Sequence, residues 1–212
     1  MDLKKLRDDF PALCEEHPVA YLDNACVTLR PQSVINAISD YYTKTPGCGG
    51  RSVHRYGTTV SRTIAQSRRT LSGFFNAPSV NEIVFTRNAT HSLNQVAKGL
   101  SWEKDDIVLT TDREHNSNLV PWLQLEEEQG VDHRVVPSNP DNTFDLEAFE
   151  RMCSEAGSKL RMVSISQVGN LDGIQSPIRE ITKIAKDFDA LVCVDGAQSA
   201  PHLSLIHISE PT

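Results

Sequence analysis

The 212-residue sequence lacks the features of a membrane or secreted protein. It has no apolar run near the length of a membrane span, which takes about 18 residues. Its first ten residues are rich in charge and contain no apolar stretch typical of a secretory signal. The five cysteines are widely spaced and form no CxxC pair, which is untypical of a disulfide framework or a zinc site. We expect a cytoplasmic protein without a membrane partner or a bound metal.

Several functional signatures are also missing. The sequence contains no GxGxxG or GxxxxGK[ST] nucleotide motif, no HExxH zinc motif and no GxSxG hydrolase motif. Lys and Arg number 21 against 28 Asp and Glu, for a net charge of −7. This balance argues against nucleic-acid binding as the main function.

What is present is a regular alternation of strand-like and helix-like segments. The predicted strands span residues 82–86, 106–110, 131–136, 160–166 and 190–194. The predicted helices span about 31–41, 59–75, 90–100, 118–129, 145–155 and 177–185, the last one capped by Ser176. The apolar run 190–194 is typical of a strand buried on both faces. The alternation predicts an α/β domain around a largely parallel sheet.

Polar side chains follow the predicted strands, in the segments 87–90, 112–116, 167–170 and 195–198. Ligands of an open parallel sheet bind beyond the carboxyl ends of its strands. The helix start near Thr90 suits an anion, and Asp195 supplies a carboxylate for a protonated ring nitrogen. This set of groups favours an aromatic, phosphorylated cofactor with a basic ring nitrogen.

The sequence resembles a known family in six segments. They are Tyr21–Cys26, Ser52–Arg55, Glu82–Thr90, Glu114–Trp122, Gln167–Gly173 and Val194–Gln198. In this order and spacing they are similar to the N-terminal half of the large domain of class V aminotransferases, nearest to the cysteine desulfurase and selenocysteine lyase group. The resemblance implies pyridoxal 5'-phosphate (PLP) as cofactor. It also implies an α/β fold with the mostly parallel sheet of the PLP-dependent transferase fold type I large domain, here incomplete.

The resemblance assigns roles to the matching residues around the cofactor. Thr90, with the backbone amides of Ala89 and Thr90, would bind the phosphate. His115 would stack on the pyridine ring. Asp195 would accept the ring N–H and keep the ring protonated.

Further matching residues would contact the cofactor's edge or the substrate. Gln198 would donate a hydrogen bond to the phenolic oxygen of the ring, and Asn170 would reach that oxygen or the substrate carboxylate. His54 and Arg55 match a loop near the substrate entrance of the family.

The end of the sequence departs from the family. The family's cofactor-binding lysine lies in a Ser-x-His-Lys segment beyond the turn after Asp195, whereas this sequence has no lysine after Lys186. Residues 1–202 are expected to form a partial PLP-binding large domain with a helical arm at about 1–45. Residues 203–212 are expected to be a non-native tail, with a short genuine strand as the alternative, and the C-terminal small domain is expected to be absent.

The resemblance implies a PLP-dependent lyase or transferase. The favoured activity is that of a cysteine desulfurase, which converts cysteine into alanine and leaves a persulfide on an enzyme cysteine. An aminotransferase, an epimerase or a kynureninase-like hydrolase stays open, as does a non-catalytic truncated fragment, and the isolated chain is expected to be inactive. The implied partners are a small amino-acid substrate, a second copy of the chain in a homodimer and a sulfur-acceptor protein.

Overall fold

The computed structural model describes residues 2–13 and 20–203, which fall into two compact units. The first unit ends at Ile83 and the second begins at Val84. The expected tail lies outside the described residues from residue 204 onward. The predicted domain boundary at residue 202 and the helical arm at about 1–45 stay predictions.

The first unit is helical. It contains α1 (Leu3–Asp8), a 3-10 turn (Pro11–Leu13), α2 (Gln32–Lys44), α3 (Arg55–Phe74) and a second 3-10 turn (Val80–Glu82). Helix α2 begins directly after Pro31, as the sequence predicts. Helix α3 begins four residues before its predicted start at Thr59, because the His54 side chain accepts the Gly57 N–H and caps the first turn.

The second unit alternates strands and helices. Its elements are α4 (Ala89–Gly99), β1 (Ile107–Thr111), α5 (Asn116–Gln129), β2 (Asp132–Val136), α6 (Leu146–Ala156), β3 (Leu160–Ser166), α7 (Ile178–Asp187) and β4 (Leu191–Asp195). The strands pair in the order β2-β1-β3-β4, and all three pairings are parallel. The predicted α/β class with a parallel sheet is confirmed.

Local chemistry explains where these helices begin and end. The Asp145 carboxylate accepts the Ala148 N–H at 2.8 Å, which caps α6. Gly130 ends α5 with a φ of 73°, in the left-handed region that glycine adopts without a Cβ penalty. Both ends lie within one residue of their predicted positions.

Helices cover both faces of the sheet. Leu109 and Ile165 point to one face and pack with Phe149 and Ile181 of α6 and α7. Val108 and Met162 are on the opposite face, where they pack with Trp122 of α5 and with α4. Successive strand residues point to opposite faces, so a continuous apolar strand fills both interfaces.

Three local predictions are wrong. Residues 83–86 belong to no strand, and Val84 is 67% exposed, because a β-favouring segment still needs a neighbouring strand to pair with. The strand predicted to be buried on both faces is the edge strand β4 within the described residues, and its Leu191 is 43% exposed. The Ser176 hydroxyl donates to the Ser166 carbonyl instead of capping α7.

Across residues 2–13 and 20–203, none of the helices combines the length and the apolar character that crossing a membrane requires.

Candidate functional site

The chain reverses its direction of travel across the sheet between β1 and β3. Strand β2 lies on the far side of β1, and β4 lies on the far side of β3. In open α/β sheets such a reversal opens a crevice beyond the carboxyl ends of the two strands, where ligands bind. The loops that follow β1 and β3 line an open cleft of about 300 Å³ there, and both His115 and Asn170 face it.

His115 is held by the start of helix α5. Its Nδ1 accepts the backbone N–H of Ser117 at 3.1 Å, so that the imidazole serves as the N-cap. The Ser117 hydroxyl lies 3.0 Å from the same nitrogen. An accepting Nδ1 carries no proton, so the ring proton of the neutral imidazole is on Nε2. These two contacts fix the ring at the edge of the cleft.

Thr90 is connected to His115 through Ser117. The hydroxyls of Thr90 and Ser117 lie 2.7 Å apart, and this contact joins the starts of helices α4 and α5. The Asn88 side chain caps α4 by accepting the His91 N–H at 2.9 Å. The amides of Ala89 and Thr90 belong to the same first turn, where N–H groups have no acceptor within the helix. These N–H groups give the start of α4 the chemistry that an anion would need.

Glu114 is not among the site residues predicted from the sequence, yet its side chain holds the loop before His115 in place. Its carboxylate accepts hydrogen bonds from Thr111 Oγ1, Asn118 Nδ2, and both the backbone N–H and the hydroxyl of Ser166. The distances range from 2.6 to 3.1 Å. One carboxylate thus fastens the end of β1 and the start of α5 to the end of β3.

Asp195 ends strand β4 beside Ser166, its partner in the β3–β4 pairing. Its Oδ1 accepts the Ala197 N–H at 2.9 Å, which fixes the carboxylate above the turn. Gln198 lies in that turn, and the next residue, Ser199, donates to Gln167 Oε1 at 2.6 Å. Asp195 and Gln198 therefore lie at the same sheet edge as the Glu114 network and the loop that contains His115.

The remaining predicted residues, His54 and Arg55, belong to the first unit. His54 caps α3 and Arg55 is the first residue of that helix. Their role at a substrate entrance stays a prediction.

The second unit brings the first turn of α4, an imidazole, a carboxylate and two side-chain amides to one edge of its sheet. Such groups can hold a flat, phosphorylated molecule that carries a protonated ring nitrogen. Within residues 2–13 and 20–203, no three His, Cys, Asp or Glu side chains are grouped so that they could hold a metal ion.

Comparisons with known proteins agree on one family. Residues 20–207 match the family model described as Aminotransferase class-V. A cysteine desulfurase of Shigella sonnei is 35% identical over 206 residues, which cover 93% of this chain and 50% of that protein. The chain spans about half the length of most of the relatives it matches.

Solved structures give the same result. The apo structure of a cysteine desulfurase from Thermococcus onnurineus NA1 superposes with a TM-score of 0.86 at 33% identity, covering 96% of this chain and 50% of that one. A C-DES variant with glycine covalently linked to the PLP cofactor superposes with a TM-score of 0.82 at 26% identity, covering 96% of this chain and 53% of that one. The chain belongs to the class V aminotransferase family.

Proposed function

We propose that this chain provides the cofactor site of a PLP-dependent cysteine desulfurase. The observation that carries the proposal is the hydrogen-bonded link from Thr90 through Ser117 to His115, beside the cleft that Asn170 also lines. This link supports the proposal because it joins the first turn of α4, where N–H groups could bind a phosphate, to the imidazole of His115. The related structure with PLP and the desulfurase relatives support the same cofactor.

The donor set of the site fits PLP. The phosphate would lie at the start of α4, on the hydroxyl of Thr90 and the amides of Ala89 and Thr90. The imidazole of His115 would lie against the ring, with its own rotation fixed by Ser117. Asp195 would accept the N–H of the ring, with its carboxylate held in place by the hydrogen bond that Oδ1 accepts from the Ala197 amide.

The chain's own groups would then orient the substrate. PLP, when bound, supplies an electron sink for the Cα of an amino acid. Asp195 would keep the ring nitrogen protonated, which maintains that electron demand. Gln198 would hold the phenolic oxygen, and Asn170 would hold that oxygen or the substrate carboxylate.

The proposal extends to the partners of the reaction. The substrate is a small amino acid, cysteine, as the names of the desulfurase relatives suggest. From the resemblance to the family we also propose a homodimer, a sulfur-acceptor protein as the recipient of the persulfide sulfur, and a location in the cytoplasm.

The test uses protein made from its complete gene. PLP binding is measured from the visible absorbance that stays with the protein on gel filtration, and sulfide and alanine are measured after addition of cysteine. Asp195→Asn should lower kcat/KM at least about tenfold, since it removes a charge-assisted hydrogen bond. Thr90→Val should weaken PLP binding several-fold by loss of one hydrogen bond.

Asp187→Asn is the matched control, because Asp187 is an exposed residue at the end of α7. It should leave both measurements unchanged. A protein that binds PLP and releases neither sulfide nor alanine would overturn the desulfurase activity, and one that binds no PLP would overturn the cofactor site.

A further inference from the structure

Arg113 connects three loops at the edge of the sheet. It lies two residues before His115 in the loop after β1. Its guanidinium forms an ion pair with Asp172 in the loop after β3, and its Nη1 donates to Asn142 Oδ1 at 2.9 Å in the loop after β2. Within residues 2–13 and 20–203, no other ion pair joins two of these loops.

Asp172 organises the loop that contains Asn170. Its Oδ1 accepts the Ile174 N–H at 3.0 Å. Across the same loop, the Gly169 N–H donates to the Ile174 carbonyl and the Gly173 N–H donates to the Gly169 carbonyl. A Cβ on Gly169 would lie 2.4 Å from Asp172 Oδ1, so the carboxylate packs directly on the backbone there. Leu171, in contrast, is 90% exposed. The loop around Asn170 is therefore held in place by the contacts of Asp172 and not by packing of the Leu171 side chain.

The ion pair is partly shielded from water. The side chains of Arg113 and Asp172 are 33% and 24% exposed. The Ile174 N–H, and after it the Arg113 guanidinium, lower the pKa of Asp172 below its ordinary value. Asp172 is thus fully ionised near neutral pH, and a partly shielded ion pair is worth more than one in open solvent.

We propose that the Arg113–Asp172 ion pair is a positioning device that holds Asn170 in the cleft against His115. Arg113 and His115 are in one short loop, so the pair fixes the distance between that loop and the loop of Asn170. Arg113 and Asp172 are positioning residues in this proposal. What Asn170 contacts in the cleft rests on the proposed function.

The first arm of the test does not involve the cofactor. In cofactor-free protein, Arg113→Met should raise the hydrogen-exchange rates of the Gly169, Gly173 and Ile174 amides by roughly fivefold, because their loop loses its anchor. Arg113→Lys should restore part of the protection, since it keeps the charge but cannot bind Asp172 and Asn142 together. Unchanged exchange rates at the three amides in Arg113→Met would overturn the proposal.

The matched control is Arg134→Met. Arg134 pairs with Asp132 at 2.7 Å, with side chains 35% and 40% exposed, and this pair lies within strand β2. Its loss should leave the exchange of the three amides as it is in the unchanged protein. An equal effect of both substitutions would mean a general loss of stability and would also overturn the proposal.

The second arm measures the coupling of Arg113 to Asn170 in the PLP-loaded protein. Asn170→Ala and Arg113→Met should each shift the pH dependence of the visible spectrum in the same direction. The double variant should show no more than the effect of Asn170→Ala alone, and fully additive effects would contradict positioning. If the protein binds no PLP, the proposed function is overturned. The hydrogen-exchange measurement in cofactor-free protein would still decide whether the ion pair holds the loop.

Discussion

The carboxylate of Glu114 accepts two kinds of hydrogen bond from Ser166, one from its backbone N–H and one from its hydroxyl at 2.6 Å. The two residues are 52 positions apart, in the loop after β1 and at the end of β3. Because β3 lies next to β4, the same contact fixes the loop of His115 relative to Asp195. Glu114 is therefore one of the residues that set the spacing of the imidazole and the carboxylate at the sheet edge, together with Asn118, which accepts a hydrogen bond from Ser164 of β3.

Glu114→Ala should lower the free energy of unfolding by about 2–3 kcal/mol. It leaves the donors of Thr111, Asn118 and Ser166 without their shared acceptor, and an unsatisfied buried donor costs its desolvation. Urea denaturation measures the change. Glu127→Ala, at an exposed position of α5, serves as the control and should change the free energy by less than about 0.5 kcal/mol. Equal effects of the two substitutions would show that the hydrogen bonds of Glu114 add nothing to the free energy of unfolding.

Ser117→Ala should weaken PLP binding while leaving the fold intact. The substitution removes the hydroxyl that joins Thr90 to His115, so both side chains lose an orienting contact. The loss of one such hydrogen bond corresponds to a several-fold rise in the Kd for PLP. Titration followed by visible absorbance gives the Kd.

Ser67→Ala is the control for that measurement. Ser67 lies on α3 and its hydroxyl donates to the Thr63 carbonyl of the same helix. A Kd for PLP that is the same in both variants and in the unchanged protein would remove Ser117 from the site.

Much of the second unit could be predicted from the sequence. Apolar runs predicted β1 and β3 to within one residue, because a parallel strand buried on both faces needs apolar side chains on both. The boundaries predicted for β2 are also within one residue, although this strand begins with the polar residues 132–134 and is only partly buried. The polar residues after the strands predicted that the candidate site residues would share one edge of the sheet. These signals are local, so a single sequence contains them.

The connections between those residues could not be predicted in the same way. Thr90 and Ser117 are 27 positions apart, and Glu114 and Ser166 are 52 positions apart, so their contacts exist only once the sheet has formed. The strand predicted at residues 82–86 is wrong for a related reason. Its β-favouring residues suit a strand, but whether they pair depends on a neighbour that the segment itself does not encode.

His133 should make the protein less stable in mild acid. Burial lowers the pKa of this half-buried imidazole below its ordinary value, although Glu126 and Asp132 act in the opposite direction. The folded protein therefore favours the neutral ring, whose Nε2 lies 2.8 Å from Thr110 Oγ1. The contribution to stability is complete above the pKa of an unfolded histidine, about 6.5, and is lost as the pH falls through the lower folded pKa.

The measurement compares His133→Gln with the unchanged protein. The free energy of unfolding is taken from urea denaturation at about pH 7.5 and about pH 5.5, either side of the titration of an unfolded histidine. The decrease between the two values should be smaller in the variant, because glutamine does not titrate. An identical decrease in both proteins would assign the acid sensitivity to other groups.

The cysteines should differ sharply in reactivity. Cys26 and Cys48 are exposed, whereas Cys153 is buried among α6 and the sheet. Burial, with a smaller contribution from Glu150, raises the pKa of Cys153 to about 12. Since the thiolate is the reactive form, roughly one Cys153 in ten thousand is reactive at about pH 8, even before its lack of access is counted.

Iodoacetamide at about pH 8 should therefore modify Cys26 and Cys48 in the native protein and leave Cys153 unmodified. Mass spectrometry of the peptides gives the extent of reaction at each position. Denaturation in urea before alkylation is the control, and it should make Cys153 react as completely as Cys48. Because Cys153 packs with Phe149 and Ile181, its modification in the native protein at the rate of Cys48 would mean that α6 does not cover the sheet as described.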